Sequence, residues 1–245
     1  MFKNGYVNII CILVLILIFP SCSKYTNLLK STDTQLKFNS AVEYFNEEDY
    51  ARAVTLFEQL MPIFRGTEQA EEMAYYRAKC YFGMKNYIEA GYHFKMLTRS
   101  YPKSKNAEDA EFQGAYCYFL LSPNPSLDQT NTHNAINALK LFIIKYPGSE
   151  KAEESFNLIG QLENKLSLKA FQNARLYYDM GEYKASIVAL KNCLLDYPDS
   201  EYREEVLFLV LKSNFILADN SIIEKRTERF QTTVDEYYSF IDEFP

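Results

Sequence analysis

The 245-residue chain has no tryptophan, only two histidines, and just eight glycines and eight prolines. So few turn-forming residues leave little room for a loop-rich β-fold. His93 and His133 stand without a paired ligand at i+4, and no C-x-x-C pair occurs, so a zinc site has no ligand set. A glycine-rich phosphate loop and a G-x-S-x-G elbow are also missing. Carboxylate pairs such as Glu47/Glu48, Glu71/Glu72 and Glu204/Glu205 fall where solvated helix faces and turns belong, and nothing sets the separation that glycoside hydrolysis requires. The chain therefore reads as a non-enzyme, with no catalytic residue, no cofactor and no metal. Basic excess is absent too. A net charge of −6 argues against nucleic acid and supplies no polybasic membrane stripe.

One long apolar run is present, and it is short for a membrane span. Ile9 to Phe19 are eleven apolar residues behind Lys3, ending at Pro20-Ser21-Cys22. A bilayer span needs roughly 20 residues, so this is the core of a cleavable signal over residues 1–21. A small residue directly before a cysteine is what a lipoprotein signal peptidase requires, because the Cys22 thiol must accept diacylglycerol. Phe19 stands where leucine is usual. Cleavage removes one lysine and no acid, so the remaining chain becomes one unit more negative. Acyl chains supply the membrane contact, at roughly 0.8 kcal/mol per buried CH₂. Residues 22–33 are expected as a lipid-anchored linker and 34–245 as the folded domain.

Of five cysteines, Cys11 and Cys22 belong to the signal. Cys80, Cys117 and Cys193 are odd in number and far apart, which fits small buried residues better than disulfides.

A phrase recurs along the chain: Tyr101-Pro102-Lys103-Ser104, Tyr146-Pro147-Gly148-Ser149 and Tyr197-Pro198-Asp199-Ser200, with Phe244-Pro245 starting a fourth. Proline closes one helix and serine offers an N-cap to the next. Acids follow in the first turn, where the helix dipole favours them. Apolar residues between the phrases recur at helical spacing with no strand-like alternation, so the fold class is all-α. Within each unit the spacing resembles a tetratricopeptide repeat of about 34 residues and two helices. Small residues belong at positions 8 and 20, and large ones at 11, 17 and 24. From Thr34 these are Ala41, Tyr44, Tyr50, Ala53 and Phe57; from Glu71 they are Ala78, Tyr81, Tyr87, Ala90 and Phe94. From Glu108 come Ala115 and Tyr118, then an eight-residue insertion before Ala135 and Leu139. From Ser167 come Ala174, Tyr177, Tyr183, Ser186 and Leu190. A fifth, looser unit runs from about Val206 to Pro245 with extra residues in its turn. Five helix pairs follow, stacked as a solenoid, with Ser149 to Met180 as one long helix or two nearly coaxial ones. The end at Phe-Pro leads to the expectation that a terminal capping helix is missing.

The helix-A residues expected on the concave face are rich in aromatics: Phe38, Val42 and Phe45, then Tyr75, Lys79 and Phe82, then Phe112, Tyr116 and Phe119. They either line a peptide groove or pack on neighbouring helices. The loop from Ser122 to Thr130, stiffened by Pro123 and Pro125, is either a partner edge or a surface excursion. Lys165, Lys169 and Arg175 form a basic strip, either a docking ridge or a solvated face.

A cysteine lipidation signal, then Leu28-Leu29-Lys30-Ser31-Thr32-Asp33, Arg65-Gly66-Thr67, the Ser122-Pro123 to Gln129 loop and Asn220-Ser221 occur in order, between repeats closed by Tyr-Pro-x-Ser. Together they resemble the BamD family of outer-membrane assembly lipoproteins, most closely its Bacteroidetes-type members. The resemblance covers essentially the whole chain after the signal. It implies a protein on the periplasmic face of the outer membrane that binds a BamA-like barrel protein through its POTRA domains. It also implies receipt of unfolded outer-membrane proteins through their aromatic-ending C-terminal signals. The aromatic row of repeats one to three would be the receiving surface, and repeats three to five the docking surface. Ser23 after the cysteine agrees with outer-membrane sorting, and the lack of an acidic run after Cys22 disfavours display on the cell surface. Two other classes remain: a repeat lipoprotein coordinating cell-wall synthesis, and a glycan-capturing uptake lipoprotein. The first often carries a coiled coil, and the second a tryptophan platform on a large insertion; neither is found here.

Overall fold

A computed structural model describes residues 24–245; the signal and Cys22 lie outside the described residues. The chain divides between Cys117 and Tyr118 into two compact units, each taken by itself. Every regular element among the described residues is a helix. The first unit holds α1 (residues 24–30), α2 (Thr34–Asn46), α3 (Tyr50–Leu60), α4 (Glu68–Gly83), α5 (Tyr87–Ser100) and most of α6 (Ala107–Leu120). The second holds α7 (Thr130–Lys145), α8 (Ala152–Asp179), α9 (Tyr183–Asp196), α10 (Arg203–Asp219) and α11 (Ile223–Glu243). In the first unit α2 packs on α3, α3 on α4 and α4 on α5; in the second each of α7 to α10 packs on the next. These helix pairs are consistent with a tetratricopeptide-repeat solenoid, as the spacing predicts.

Two turn types explain the repetition. Inside a pair, Asp49, Asn86 and Glu182 donate their amides to the carbonyls of Tyr44, Tyr81 and Tyr177, five residues back, all at 2.9 Å. Glu48, Lys85 and Gly181 donate to Phe45, Phe82 and Tyr178. This is the Schellman closure, which consumes helix-end carbonyls and puts one residue in the left-handed region. That residue is Glu48 (φ 61°), Lys85 (φ 60°) or Gly181 (φ 79°), the same repeat position each time. The Asp49 and Asn86 side chains then cap the next helix by accepting from Arg52 and Glu89 amides.

Between pairs, the Tyr-Pro-x-Ser phrase is a closed β-turn. The Ser104, Ser149 and Ser200 amides donate to the Tyr101, Tyr146 and Tyr197 carbonyls at 3.0, 3.1 and 3.2 Å. Proline occupies the second turn position, where its fixed φ fits and its missing N–H costs nothing. Each serine hydroxyl accepts the amide two residues on, at Asn106, Lys151 and Tyr202. The α-helices begin one residue further still, so serine caps a leading turn rather than the helix itself. Phe244 donates to the Phe240 carbonyl as those tyrosines do to theirs four residues back.

The small positions are where helices touch. Ala41, Ala53, Ala78, Ala90, Ala135 and Ser186 are fully buried, and Ala115 and Ala174 nearly so. Phe57, Phe94, Leu139 and Leu190 at position 24 are completely covered. Truncating Phe94 to alanine should cost about 3–5 kcal/mol. Position 11 is looser: Tyr177 is exposed, though its carbonyl still closes the Schellman turn. Gly83 is required by close approach, because a Cβ there would lie 2.3 Å from the Tyr50 ring. Cys80, Cys117 and Cys193 are buried free thiols, and burial lifts the first two to about 12.

Two elements differ from expectation, and a third takes the first of its two readings. From residue 24 the anticipated linker is a packed helix, α1, rather than an open tether. Its Tyr25, Leu28 and Leu29 sit against the first core, and Lys37 Nζ donates to the Leu29 carbonyl at 2.9 Å. The long connection is a single helix, α8, of 28 residues. The fifth unit carries its extra length in α10 and α11, while only residues 220–222 separate them.

Candidate partner-binding surfaces

The aromatic row of α2, α4 and α6 is held ring against ring. Phe38 meets Phe57 at 6.2 Å between centroids, and Phe45 meets Tyr50 at 5.7 Å and Tyr76 at 5.0 Å. Val42 packs beside them on the first core. Tyr75 lies between Tyr76 and Phe94, and its hydroxyl donates to Asp109 Oδ2 at 2.6 Å, tying α4 to α6. Burial first, and then that hydrogen bond, lift the Tyr75 hydroxyl well above the ordinary phenol range, so it stays protonated and donating. Lys79 Nζ sits 5.9 Å from the Tyr75 ring centre. Phe82 meets Tyr87 at 5.5 Å and Tyr116 at 6.2 Å, and Tyr116 stacks on Phe112. Phe112 is 3% exposed and belongs to the core. The other row members of the first unit are half-buried. Phe119, also half-buried, falls in the second unit.

The basic strip and the loop, two separate features in the sequence, form one assembly. Lys165 Nζ donates to Ser122 Oγ at 2.7 Å, and Lys169 Nζ to the Leu127 carbonyl. Burial pulls the Lys165 ammonium below the usual lysine range. Inside the loop, the buried Gln129 amide donates to the Asn124 and Leu127 carbonyls at 2.8 and 3.0 Å. Thr132 donates to Gln129 Oε1 at 2.7 Å, and its hydroxyl also meets Ser122 Oγ at 2.7 Å. A loop tied from both sides keeps one shape and offers Leu127, more than half exposed, on its outside. Arg175 is engaged elsewhere, pairing with Glu205 of α10 at 2.9 Å and Asp179 at 3.8 Å.

A third surface is absent from the sequence reading. Phe208, Leu211, Phe215, Phe230, Val234 and Tyr237 line an open groove of about 460 Å³ between α10 and α11. Phe208, Phe215 and Tyr237 are each about half exposed (47%, 52% and 48%), so their rings face outward. Lys212 stands at the groove with its ammonium 5.5 Å from the Tyr178 ring centre. Arg203 of α10 pairs with Glu243 of α11, and Lys191 of α9 pairs with Glu236 of α11.

Among the described residues, no cluster of three or more His, Cys, Asp or Glu is arranged to hold a metal ion. No helix there is long and apolar enough to cross a membrane.

Helix pairs that carry half-buried aromatics, a tied loop and an apolar groove define a helical-repeat protein. The outer membrane lipoprotein family model, YfiO, matches residues 30–229, most of the chain. The chain belongs to this family of BamD-like outer membrane lipoproteins. No curated protein matches it. Among solved structures, that described as the crystal structure of MamA protein is similar at 13% identity and a TM-score of 0.37, over 86% of this chain and 96% of that one.

Proposed function

We propose that this lipoprotein is a non-enzymatic scaffold of β-barrel assembly, acylated at Cys22 and facing the periplasm. It binds a BamA-like barrel protein through POTRA domains and receives unfolded outer-membrane proteins by their aromatic-ending C-terminal signals. The observation that carries the reading is the family match over residues 30–229. The surfaces support it in chemical detail. Tyr75, Phe82 and Tyr116 offer ring edges to an aromatic side chain, and Lys79 among them offers a cation to a terminal carboxylate. The apolar groove of α10 and α11 supplies the kind of aromatic anchor on which protein interfaces depend. The tied loop adds a preorganised edge, which lowers the entropy cost of docking.

The receiving row is tested with a fluorescent peptide ending in phenylalanine. Tyr116→Ala and Lys79→Glu should each weaken binding by about fivefold or more at unchanged helicity, equivalent to roughly 1 kcal/mol. Amidating the peptide terminus should reproduce the Lys79→Glu loss. Unchanged affinity in both variants would remove the row from the receiving role. Phe45→Ala makes a weaker test, because Phe45 also packs on Tyr50 and Tyr76.

A further inference from the structure

The distance between the acylated cysteine and the folded chain is very short. Ser23 alone separates Cys22 from Lys24, where the described helix α1 begins. Two Cα-to-Cα steps reach at most about 7.6 Å. α1 is not free to swing. Tyr25 packs edge-on to Tyr44 at 5.6 Å, its hydroxyl reaches the Arg52 carbonyl, and the Arg52 guanidinium lies 5.4 Å from its ring centre. Leu28 and Leu29 are pressed on the core, and Lys37 holds the Leu29 carbonyl from below. A lipid on Cys22 would therefore lie within two residues of a helix packed on the domain.

Beside this point, α1 and α2 enclose an open cleft of about 460 Å³. Lys24, Asn27, Ser31 and Ser40 bring an ammonium, an amide and two hydroxyls to it, Leu36 adds apolar surface, and Glu43 brings an acid. Donors with a cation suit a phosphate ester, and the nearby carboxylate suits the ammonium of a zwitterionic headgroup. Leu36 is half exposed beside them, suited to the glycerol region. The tether raises the local concentration of such headgroups so far that weak individual contacts suffice.

We propose that the α1–α2 end of the first repeat rests directly on the membrane, its cleft seating phospholipid headgroups, so that the anchor orients the protein as well as holding it. The proposal relies on acylation at Cys22. It is tested with the full-length lipidated protein in nanodiscs of phosphatidylethanolamine and phosphatidylglycerol carrying a headgroup spin label. A fluorophore is placed on Lys30→Cys; the native Cys80, Cys117 and Cys193 are buried and do not compete for label. Strong quenching is expected with the native tether. It should fall about threefold or more when twelve Gly/Ser residues are inserted after Ser23, and fall measurably with Lys24→Glu. Weak quenching in a protein still bound to the nanodisc, or quenching indifferent to both changes, overturns the membrane contact while leaving the lipoprotein standing. Loss of the wild-type protein from nanodiscs, matched by Cys22→Ser, would mean no anchor and would overturn both.

Discussion

The Lys165 ammonium on α8 reaches back 43 residues to Ser122, donating to its hydroxyl at 2.7 Å and its carbonyl at 3.4 Å. This contact and the neighbouring one from Lys169 fix the insertion of the third repeat against α8. Lys165 is partly buried, and an apolar replacement of similar length keeps its packing and loses only its charge-assisted bonds. Lys165→Met should therefore lower stability by about 1–2 kcal/mol while freeing the loop. Hydrogen exchange checks this: the amides of Asn124, Ser126, Leu127 and Asp128 should exchange faster, with helix protection elsewhere unchanged. Unaltered loop protection would show that Lys169 and Gln129 hold it without Lys165.

The shared left-handed turn position gives a prediction of opposite signs. Glu48 and Lys85 adopt a conformation that suits glycine, which Gly181 already supplies. Lys85→Gly should raise stability by about 0.5–1 kcal/mol, and Gly181→Ala should lower it by about 1 kcal/mol. Urea midpoints at constant slope provide the measurement.

Close packing at Gly83 makes a second stability test. Gly83→Ala drives a methyl into the Tyr50 ring and should cost about 1–3 kcal/mol. With Tyr50→Ala already present, the same substitution should cost far less. A double-mutant cycle reads the coupling, and strict additivity would mean that the ring simply moves aside.

His93 makes stability depend on pH. Burial first, and the Arg77 charge second, hold it down at about 4, against about 6.5 in an unfolded chain. The Tyr81 ring lies tilted beside it and Tyr92 meets it edge-on, Glu89 lies 3.9 Å from its Nε2, and Glu58 of α3 accepts from Tyr81. Between those values the unfolded chain binds the extra proton, so stability falls as pH drops from about 6.5 towards 4. The slope approaches 1.4 kcal/mol per unit for one group. Above about 6.5 the contribution is complete and flat. His93→Gln should flatten this part of the stability curve, a change seen by comparing urea midpoints at pH 7 and pH 5.

Much of the fold was legible because its constraints are local and repeated. Ala41, Ala53, Ala78 and Ala90 could be placed at helix contacts from spacing alone, and Tyr-Pro-x-Ser announced its turns. The burial of Phe112 was one of two readings, and spacing could not choose between them. The loop and the lysine strip were both visible, yet their pairing depends on a tertiary contact across 43 residues that no local pattern encodes. The α10–α11 groove was missed because Phe208, Phe215, Phe230 and Tyr237 recur at the same helical spacing as core residues. Only the geometry shows their outward faces. α1 was hidden for a different reason, since seven residues beside a signal carry too little periodicity to mark a helix.

The α10–α11 groove gives one further expectation. Phe215→Glu places a charge in an apolar groove without touching the fully buried core, so the chain should stay folded while losing a partner that needs the groove. Thermal melting and partner recovery, measured on the same variant, separate the two effects.

The most direct measurement is affinity purification of the tagged lipoprotein from gently solubilised outer membrane, with partners identified by mass spectrometry. Stoichiometric recovery of a POTRA-bearing barrel protein is the predicted result. Recovery of cell-wall synthases or of a nutrient transporter in its place would contradict the assembly role and leave the helical-repeat lipoprotein without it.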